Sequence, residues 1–66
     1  MAVARVTKIT ASSSKGFQDA VDSGLKRASE TLRGITGLEV LEQKAKVDGG
    51  KITEYRATIE ITFVLD

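Results

Sequence analysis

The C-terminal segment, residues 52–65, alternates apolar and polar side chains, and this alternation constrains the fold more than any other feature. A period of two predicts a β-strand with one buried face and one polar face. The apolar face carries Tyr55, Ala57, Ile59, Ile61, Phe63 and Leu65, and the polar face carries Glu54, Arg56, Thr58, Glu60 and Thr62. A strand of this length spans about 45 Å, so it needs a long apolar cover.

An amphipathic helix over residues 14–33 is the cover that the sequence predicts, because its apolar residues recur every three or four positions. Serines 12–14 offer hydroxyl groups for an N-cap, and Gly34 is typical of a C-cap. Gly24, within the apolar stripe, costs about 1 kcal/mol relative to alanine and indicates a close approach to a neighbouring backbone. The helix spans only about 30 Å, so we expect other copies of the chain to cover the overhang.

Two further strands are predicted, over residues 3–10 and 38–47. The glycine pair 49–50 is typical of a two-residue hairpin turn, in which Asp48 faces Lys51. This register pairs Val40 with Ile59 and Leu38 with Ile61 on the helix side, and Gln43 with Arg56, Leu41 with Thr58 and Glu39 with Glu60 on the other side. Residues 1–66 are thus expected to form a single α+β domain of order β-α-β-β. Its three-stranded antiparallel sheet, in strand order 1-3-2, wraps around one helix.

The absence of cysteine and histidine from a chain of 66 residues narrows what can stabilise it and what it can do. In so small a domain, the gain from burying apolar surface and the loss of chain entropy nearly cancel. Disulfides and the common zinc sites are excluded, which leaves oligomerisation. Ser-His-Asp and Cys-His catalysis cannot be built from this chain, so we expect a binding protein and not an enzyme.

The charge balance gives no sign of a nucleic-acid or membrane partner. Ten Lys and Arg residues against nine Asp and Glu residues leave a net charge of +1. No apolar run approaches the ~20 residues of a membrane span, and the N-terminal segment lacks the apolar core of a signal peptide. A cytoplasmic location is the expectation.

Two pairs on the polar face of the sheet are candidate binding residues. Gln43 and Arg56 form a polar pair in the middle of this face, and the arginine fork suits a carboxylate or phosphate. The alternative is a salt bridge or a solvated face. Glu39 and Glu60 face one another, and a cation such as calcium would relieve their repulsion. The alternative is that the two side chains splay into solvent or reach basic residues of a neighbouring copy. The metal ligands themselves stay unassigned.

The order and spacing of these segments resembles the dodecins, over essentially the whole chain. The matching stretches are residues 9–14 with Phe17, 28–32, 39–43, 55–63 and 65–66. The resemblance implies the β-α-β-β fold and a hollow homododecamer. It also implies a protein that binds or stores a small ligand, with FMN or riboflavin as the cofactors of many members.

The resemblance also assigns the ligand positions, and this chain departs from the family at two of them. The tryptophan that stacks on the flavin ring corresponds to Gly37, and the glutamine that contacts the edge of the ring corresponds to Arg56. Losing the aromatic surface removes about 1–3 kcal/mol of stacking per ring, if base stacking is a fair proxy. With Tyr55 followed by Arg56 and no tryptophan, the chain resembles more closely a branch of the family whose members are described as calcium dodecins. A calcium-binding or purely structural shell is therefore the alternative function.

Overall fold

Three strands and one helix make up the fold in the computed structural model, which describes residues 3–65. They are β1 (Val3–Ser13), α1 (Phe17–Ser29), β2 (Ile35–Asp48) and β3 (Lys51–Leu65). The strands form one antiparallel sheet in the order β1-β3-β2, as predicted. No helix within the described residues is long and apolar enough to cross a membrane.

The helix is shorter than predicted, and the serines do not cap it. No side chain caps the N-terminus of α1, and Gly16 stands at the N-cap position. Ser13 instead ends β1, where its hydroxyl accepts a hydrogen bond from the Lys15 N–H and donates one to the Asp19 carboxylate. The Ser13 side chain therefore closes a turn between strand and helix, which is an alternative use of the hydroxyl that competes with capping.

The C-terminal end of the helix also differs from the prediction of a glycine cap. The helix ends at Ser29, and Glu30 is its C-cap in the right-handed helical conformation. Gly34 has a φ of 75°, but it lies at the entry to β2, where its carbonyl accepts a hydrogen bond of 2.9 Å from the Val64 N–H. The glycine is thus needed at the start of the sheet and not at the end of the helix.

The hairpin turn is confirmed, and the pairs nearest to it follow the predicted register. Gly49 and Gly50 have φ values of 59° and 77°, which a tight two-residue turn requires. Asp48 then lies opposite Lys51.

Bulges change part of the predicted register farther along the hairpin. Shifts fall between Lys46 and Val47 and between Val40 and Glu42. The predicted pairs Val40–Ile59, Leu38–Ile61 and Glu39–Glu60 are confirmed, whereas the pairs Gln43–Arg56 and Leu41–Thr58 are wrong. Between the two bulges, β2 is displaced by one residue relative to β3, so Gln43 lies opposite Ala57.

The core is a thin layer between α1 and the sheet. Ala20 and Ala28 of the helix pack against Ala57, Ile59 and Ile61 of β3, and all five are buried. The predicted close approach at Gly24 is confirmed, but to side chains and not to a backbone, because a Cβ atom there would lie 3.0 Å from the Ala11 Cβ and 3.3 Å from the Ile59 Cδ1. The small helix residues thus let α1 lie directly on β1 and β3, with few contacts to β2.

The three aromatic residues lie at the border of this core and are half-buried. The Phe17 and Tyr55 rings pack edge to face, with centroids 5.0 Å apart and planes at 80°. Phe63 is half-buried near the opposite end of β3.

The sheet extends well beyond the helix. The described chain measures 52 × 19 × 13 Å, whereas a helix of 13 residues is only about 20 Å long. Large apolar side chains are consequently left exposed, namely Val3, Val6, Val40, Leu41, Val47, Ile52 and Leu65. In a single chain, the part of the sheet that extends beyond the helix is therefore uncovered, as the strand length predicts.

Replacing Ile59 by alanine is expected to lower the free energy of unfolding by about 2–5 kcal/mol, because the cavity left under the helix cannot fill. Ile59→Val, which deletes a single methylene, is expected to cost about 0.5–1.5 kcal/mol. Urea unfolding at equal chain concentration measures both variants. An alanine variant as stable as the wild type would contradict the assignment of this core.

Candidate functional site

The face of the sheet that points away from α1, here called the open face, carries the candidate binding residues. Alternation along β3 places Glu54, Arg56, Thr58, Glu60 and Thr62 on it, as predicted. The β1 residues opposite these also contribute, and the Thr10 and Thr58 hydroxyl oxygens lie 3.0 Å apart across the two strands. The open face is thus a polar surface with no helix over it.

Arg56 is the centre of a row of polar residues across all three strands. Ser12 of β1 lies opposite it on one side, and Lys44 of β2 lies opposite it on the other. The Arg56 Nε donates to the Glu54 carboxylate at 2.7 Å, and the Lys44 Nζ lies 3.3 Å from the Glu42 carboxylate. The alternative interpretation of Arg56, a salt bridge, is therefore confirmed, although its partner Glu54 lies on the same strand.

This ion pair shifts the pKa values of both partners in opposite directions. The hydrogen bond from Arg56 lowers the pKa of Glu54 below its ordinary value, and the positive charges of Arg56 and Lys46 add to this, while desolvation opposes it. The same hydrogen bond raises the pKa of Arg56. Because the pKa of Glu54 is depressed in the folded chain, the stability contributed is present above the pKa of an unfolded glutamate. It is lost as the pH falls through the lowered pKa.

Gln43 does not lie beside Arg56. The bulge at Leu41 places Gln43 opposite Ala57, whose side chain is buried on the helix side of the sheet. Gln43 therefore lies on the face opposite to Arg56, beyond the reach of α1 and exposed. Ser12 and Lys44 take its place in the Arg56 row. The sequence pattern did not indicate them, because Ser12 belonged to the predicted cap and the predicted register would place Lys44 opposite Tyr55, on the other face.

Glu39 and Glu60 do face one another, as the register predicts. Lys8 of β1 lies on the other side of Glu60, so an amine and a carboxylate flank the same residue. Within residues 3–65, no group of three or more His, Cys, Asp or Glu side chains is placed to hold a metal ion. Calcium takes six to eight oxygen ligands, so one chain supplies at most part of a calcium site here.

Gly37 lies on the open face opposite Thr62, and nothing in the chain requires a glycine there. Its φ is not positive, and a Cβ atom built on it would meet no atom within 4 Å. A glycine within a strand weakens the strand and often marks a place where another group approaches the backbone. The bare backbone at Gly37 is therefore accessible to a ligand or to another chain.

The candidate residues do not form one pocket within a single chain. Thr62, opposite Gly37, lies about 20 Å from Arg56 along β3 at the usual rise of a strand. A shallow concavity of about 380 Å³ lies beside the loop that follows α1, but residues 29–34 line it and none of the candidates does. A site that uses both Gly37 and Arg56 needs more than one copy of the chain.

The sequence model of the dodecin family matches residues 3–66, which is nearly the whole chain. The chain belongs to the dodecin family. The single helix and the strand order described above are those of the dodecin fold. No curated protein sequence gives a significant match.

Solved dodecin structures resemble this one closely. A dodecin from Streptomyces davaonensis is 34% identical, with a TM-score of 0.93 over 98% of this chain and 96% of that one. An arginine-to-alanine variant of the Thermus thermophilus dodecin is 27% identical, with a TM-score of 0.95 over 100% and 98% of the two chains. The calcium dodecin of Mycobacterium tuberculosis, a calcium-chelating antigen with a novel calcium-binding site, is 31% identical, with a TM-score of 0.83 over 97% and 91%.

Replacing Arg56 by glutamine is expected to raise the pKa of Glu54 toward that of an ordinary glutamate, because the hydrogen bond and the positive charge that lower it are both weakened or removed. Carboxyl carbon chemical shifts, followed by NMR as a function of pH, measure this change. Arg27→Gln is the matched control, since it removes the same charge from a surface pair with Glu30. An unchanged Glu54 pKa in the Arg56 variant would refute the pairing.

Proposed function

We propose that this dodecin is a homododecameric shell that binds or stores a small ligand on the open face and catalyses no reaction. The observation that carries the proposal is the placement of Gly37 and Arg56, the two positions that the family resemblance assigns to the ligand. Both lie on the open face, but they are too far apart to meet around one small molecule within a single chain. Assembly would bring the Gly37 of one copy toward the Arg56 of another.

The exposed apolar residues support assembly independently of the ligand. They lie mainly on the part of the sheet that α1 does not reach, and among them Val47 is 61% exposed and Ile52 is 49% exposed at the end of the hairpin. Two paired apolar residues are exposed at each end of the sheet, Val47 with Ile52 at the hairpin and Val3 with Leu65 at the other end, and uncovered apolar surface is typical of contacts between chains. Twelve copies is the number that the family resemblance implies, and a cytoplasmic location stays a prediction.

FMN or riboflavin is the first ligand to consider, with Gly37, Gln43 and Arg56 as the proposed cofactor-binding residues. A flat ring has room to approach the backbone at Gly37, but no aromatic side chain at this position can stack on it. Gln43 would act from the opposite face of the sheet, and hence on a different part of the assembly from Arg56. The expected flavin affinity is therefore lower than in members that have the tryptophan.

Gly37→Trp is expected to raise the flavin affinity about tenfold or more, because an indole at this open position restores about 1–3 kcal/mol of stacking. Quenching of flavin fluorescence measures the dissociation constants. Ser23→Trp, on the exposed surface of the helix, is the control for nonspecific stacking. No gain in Gly37→Trp, with the assembly intact, would count against a ligand at Gly37.

Calcium binding is the second candidate, and the confirmed juxtaposition of Glu39 and Glu60 favours it. Carboxylates from neighbouring copies would have to complete the coordination. If calcium binds there, a concentration of about 100 times its dissociation constant stabilises the fold by about 2.7 kcal/mol. Glu60→Gln would abolish this stabilisation and Glu30→Gln, at the C-cap of α1, would not. A thermal transition that is insensitive to calcium in the wild type would exclude the ion as ligand.

A further inference from the structure

We infer that residues 42–46 of β2 exchange between two pairing registers with β3, and that the register decides which side chain lies beside Arg56 on the open face. In the observed register this side chain is Lys44. In the second, here called the slipped register, β2 is displaced by one residue, the hairpin has no bulge between its turn and Gly37, and Gln43 lies opposite Arg56. The exchange goes beyond the proposed function, because it is a property of the hairpin of a single chain.

The two bulges of the hairpin compensate one another. Leu41 is the unpaired residue on β2, and Thr53 is the unpaired residue on β3. From Gly37 to Val40 the strands are again in the register that the turn sets, and only the stretch between the bulges is displaced. The slipped register therefore requires no change at the turn or over the core. The two bulges cancel, and the pairs at both ends of the stretch stay as they are.

Burial within one chain does not select between the two registers. A slip of one residue turns each side chain to the other face of the sheet, which is costly where one face is buried. All the side chains from Glu42 to Lys46 are exposed, and α1 has few contacts with β2. Even the position opposite the buried Ala57 is open, because Gln43, which occupies it, is exposed. Register is weakly specified in strands that are polar on both faces.

The charges and hydrogen bonds of the stretch also come close to balance. Lys44 lies directly opposite Arg56, and like charges in such a pair are destabilising. Lys46 lies opposite Glu54, which is favourable, and the Thr53 hydroxyl donates a hydrogen bond of 3.3 Å to the Lys46 carbonyl. The slipped register loses the repulsion and both attractions together, and it gains a continuous ladder in place of two bulges. Each contribution is modest, so the two registers are close in free energy.

The exchange changes the chemistry of the open face. The observed register presents one acidic and two basic side chains from this stretch of β2, and the slipped register presents three uncharged ones. The two sets are Glu42, Lys44 and Lys46, and Leu41, Gln43 and Ala45. A ligand or a neighbouring copy that contacts one set shifts the population toward the register that presents it. The hairpin is thus a two-state element whose register binding or assembly can select.

Disulfide trapping distinguishes the two registers, and the chain has no cysteine of its own. A disulfide needs Cβ atoms about 4 Å apart, and only residues directly opposite one another on the same face come near this distance. Lys44→Cys with Arg56→Cys bridges in the observed register, and Gln43→Cys with Arg56→Cys bridges only in the slipped one. Mass spectrometry of the denatured protein identifies a bridge within one chain by the loss of two hydrogens, so links between copies are not counted.

We expect both bridges to form on mild oxidation, with the Lys44 bridge forming faster. Thr53→Val, added to the Gln43 variant, removes the hydroxyl that supports the bulge and is expected to speed this bridge about two- to tenfold. Glu39→Cys with Glu60→Cys is the positive control, because these residues lie opposite one another in both registers.

A Gln43 variant that does not bridge, under conditions in which the Glu39 control does, would overturn the inference. Bridging no faster than in Val40→Cys with Glu60→Cys would overturn it as well. In that second control the two side chains lie on opposite faces in both registers, so only unfolding of the hairpin brings the cysteines together.

A second set of variants, nearer the turn, keeps the test decisive if the Arg56 variants do not fold. Ala45→Cys bridges to Glu54→Cys only in the slipped register, and Lys46→Cys bridges to it only in the observed one. A bridge from Lys46 alone would reject the exchange. The proposed function is unaffected by any of these outcomes, since every bridge that is counted lies within one chain.

Discussion

The close contact of α1 with the sheet at Gly24 is the constraint on which the rest of the structure depends. A Cβ atom at this position would lie 3.0 Å from the Cβ of Ala11, so even an alanine would require the helix or its neighbours to shift. Ala20 and Ala28 continue the same narrow stripe along the helix. The resulting core is small, and it lies mainly between α1 and the strands β1 and β3. Everything beyond the end of the helix must be stabilised by something else.

This confinement divides the molecule into a packed region and an incomplete one. The hairpin of β2 and β3 extends past the helix with Val47 and Ile52 exposed near its tip. The opposite side of the same hairpin carries Arg56, and Gly37 lies far from it near the start of β2. In the proposed assembly, other copies would cover the apolar residues and bring the separated ligand positions together, so that folding and ligand binding would depend on the same contacts.

The parts of the fold that depend on local patterns could be predicted from the sequence. Alternation along β3 identified Ala57, Ile59 and Ile61 as buried, and the glycine pair at the turn fixed the adjacent register. The position of Gln43 could not be predicted, because a bulge shifts the register by one residue and no residue type near Leu41 marks it. The helix ends also differed, because Ser13 bonds to Asp19 and the Lys15 N–H instead of capping. For the same reasons, the positions of Ser12 and Lys44 beside Arg56 could not be predicted. Ser12 belongs to β1 and not to a helix cap, and the bulge turns Lys44 to the open face.

Native mass spectrometry of the purified protein, in a volatile buffer without added ligand, tests most directly the central claim that one chain is incomplete by itself. We expect a mass close to twelve times the 7.1 kDa chain, with any excess giving the mass of retained ligand or ions. A monomer or dimer at micromolar concentration would contradict it, because the uncovered hairpin and the divided ligand positions would then have no partner.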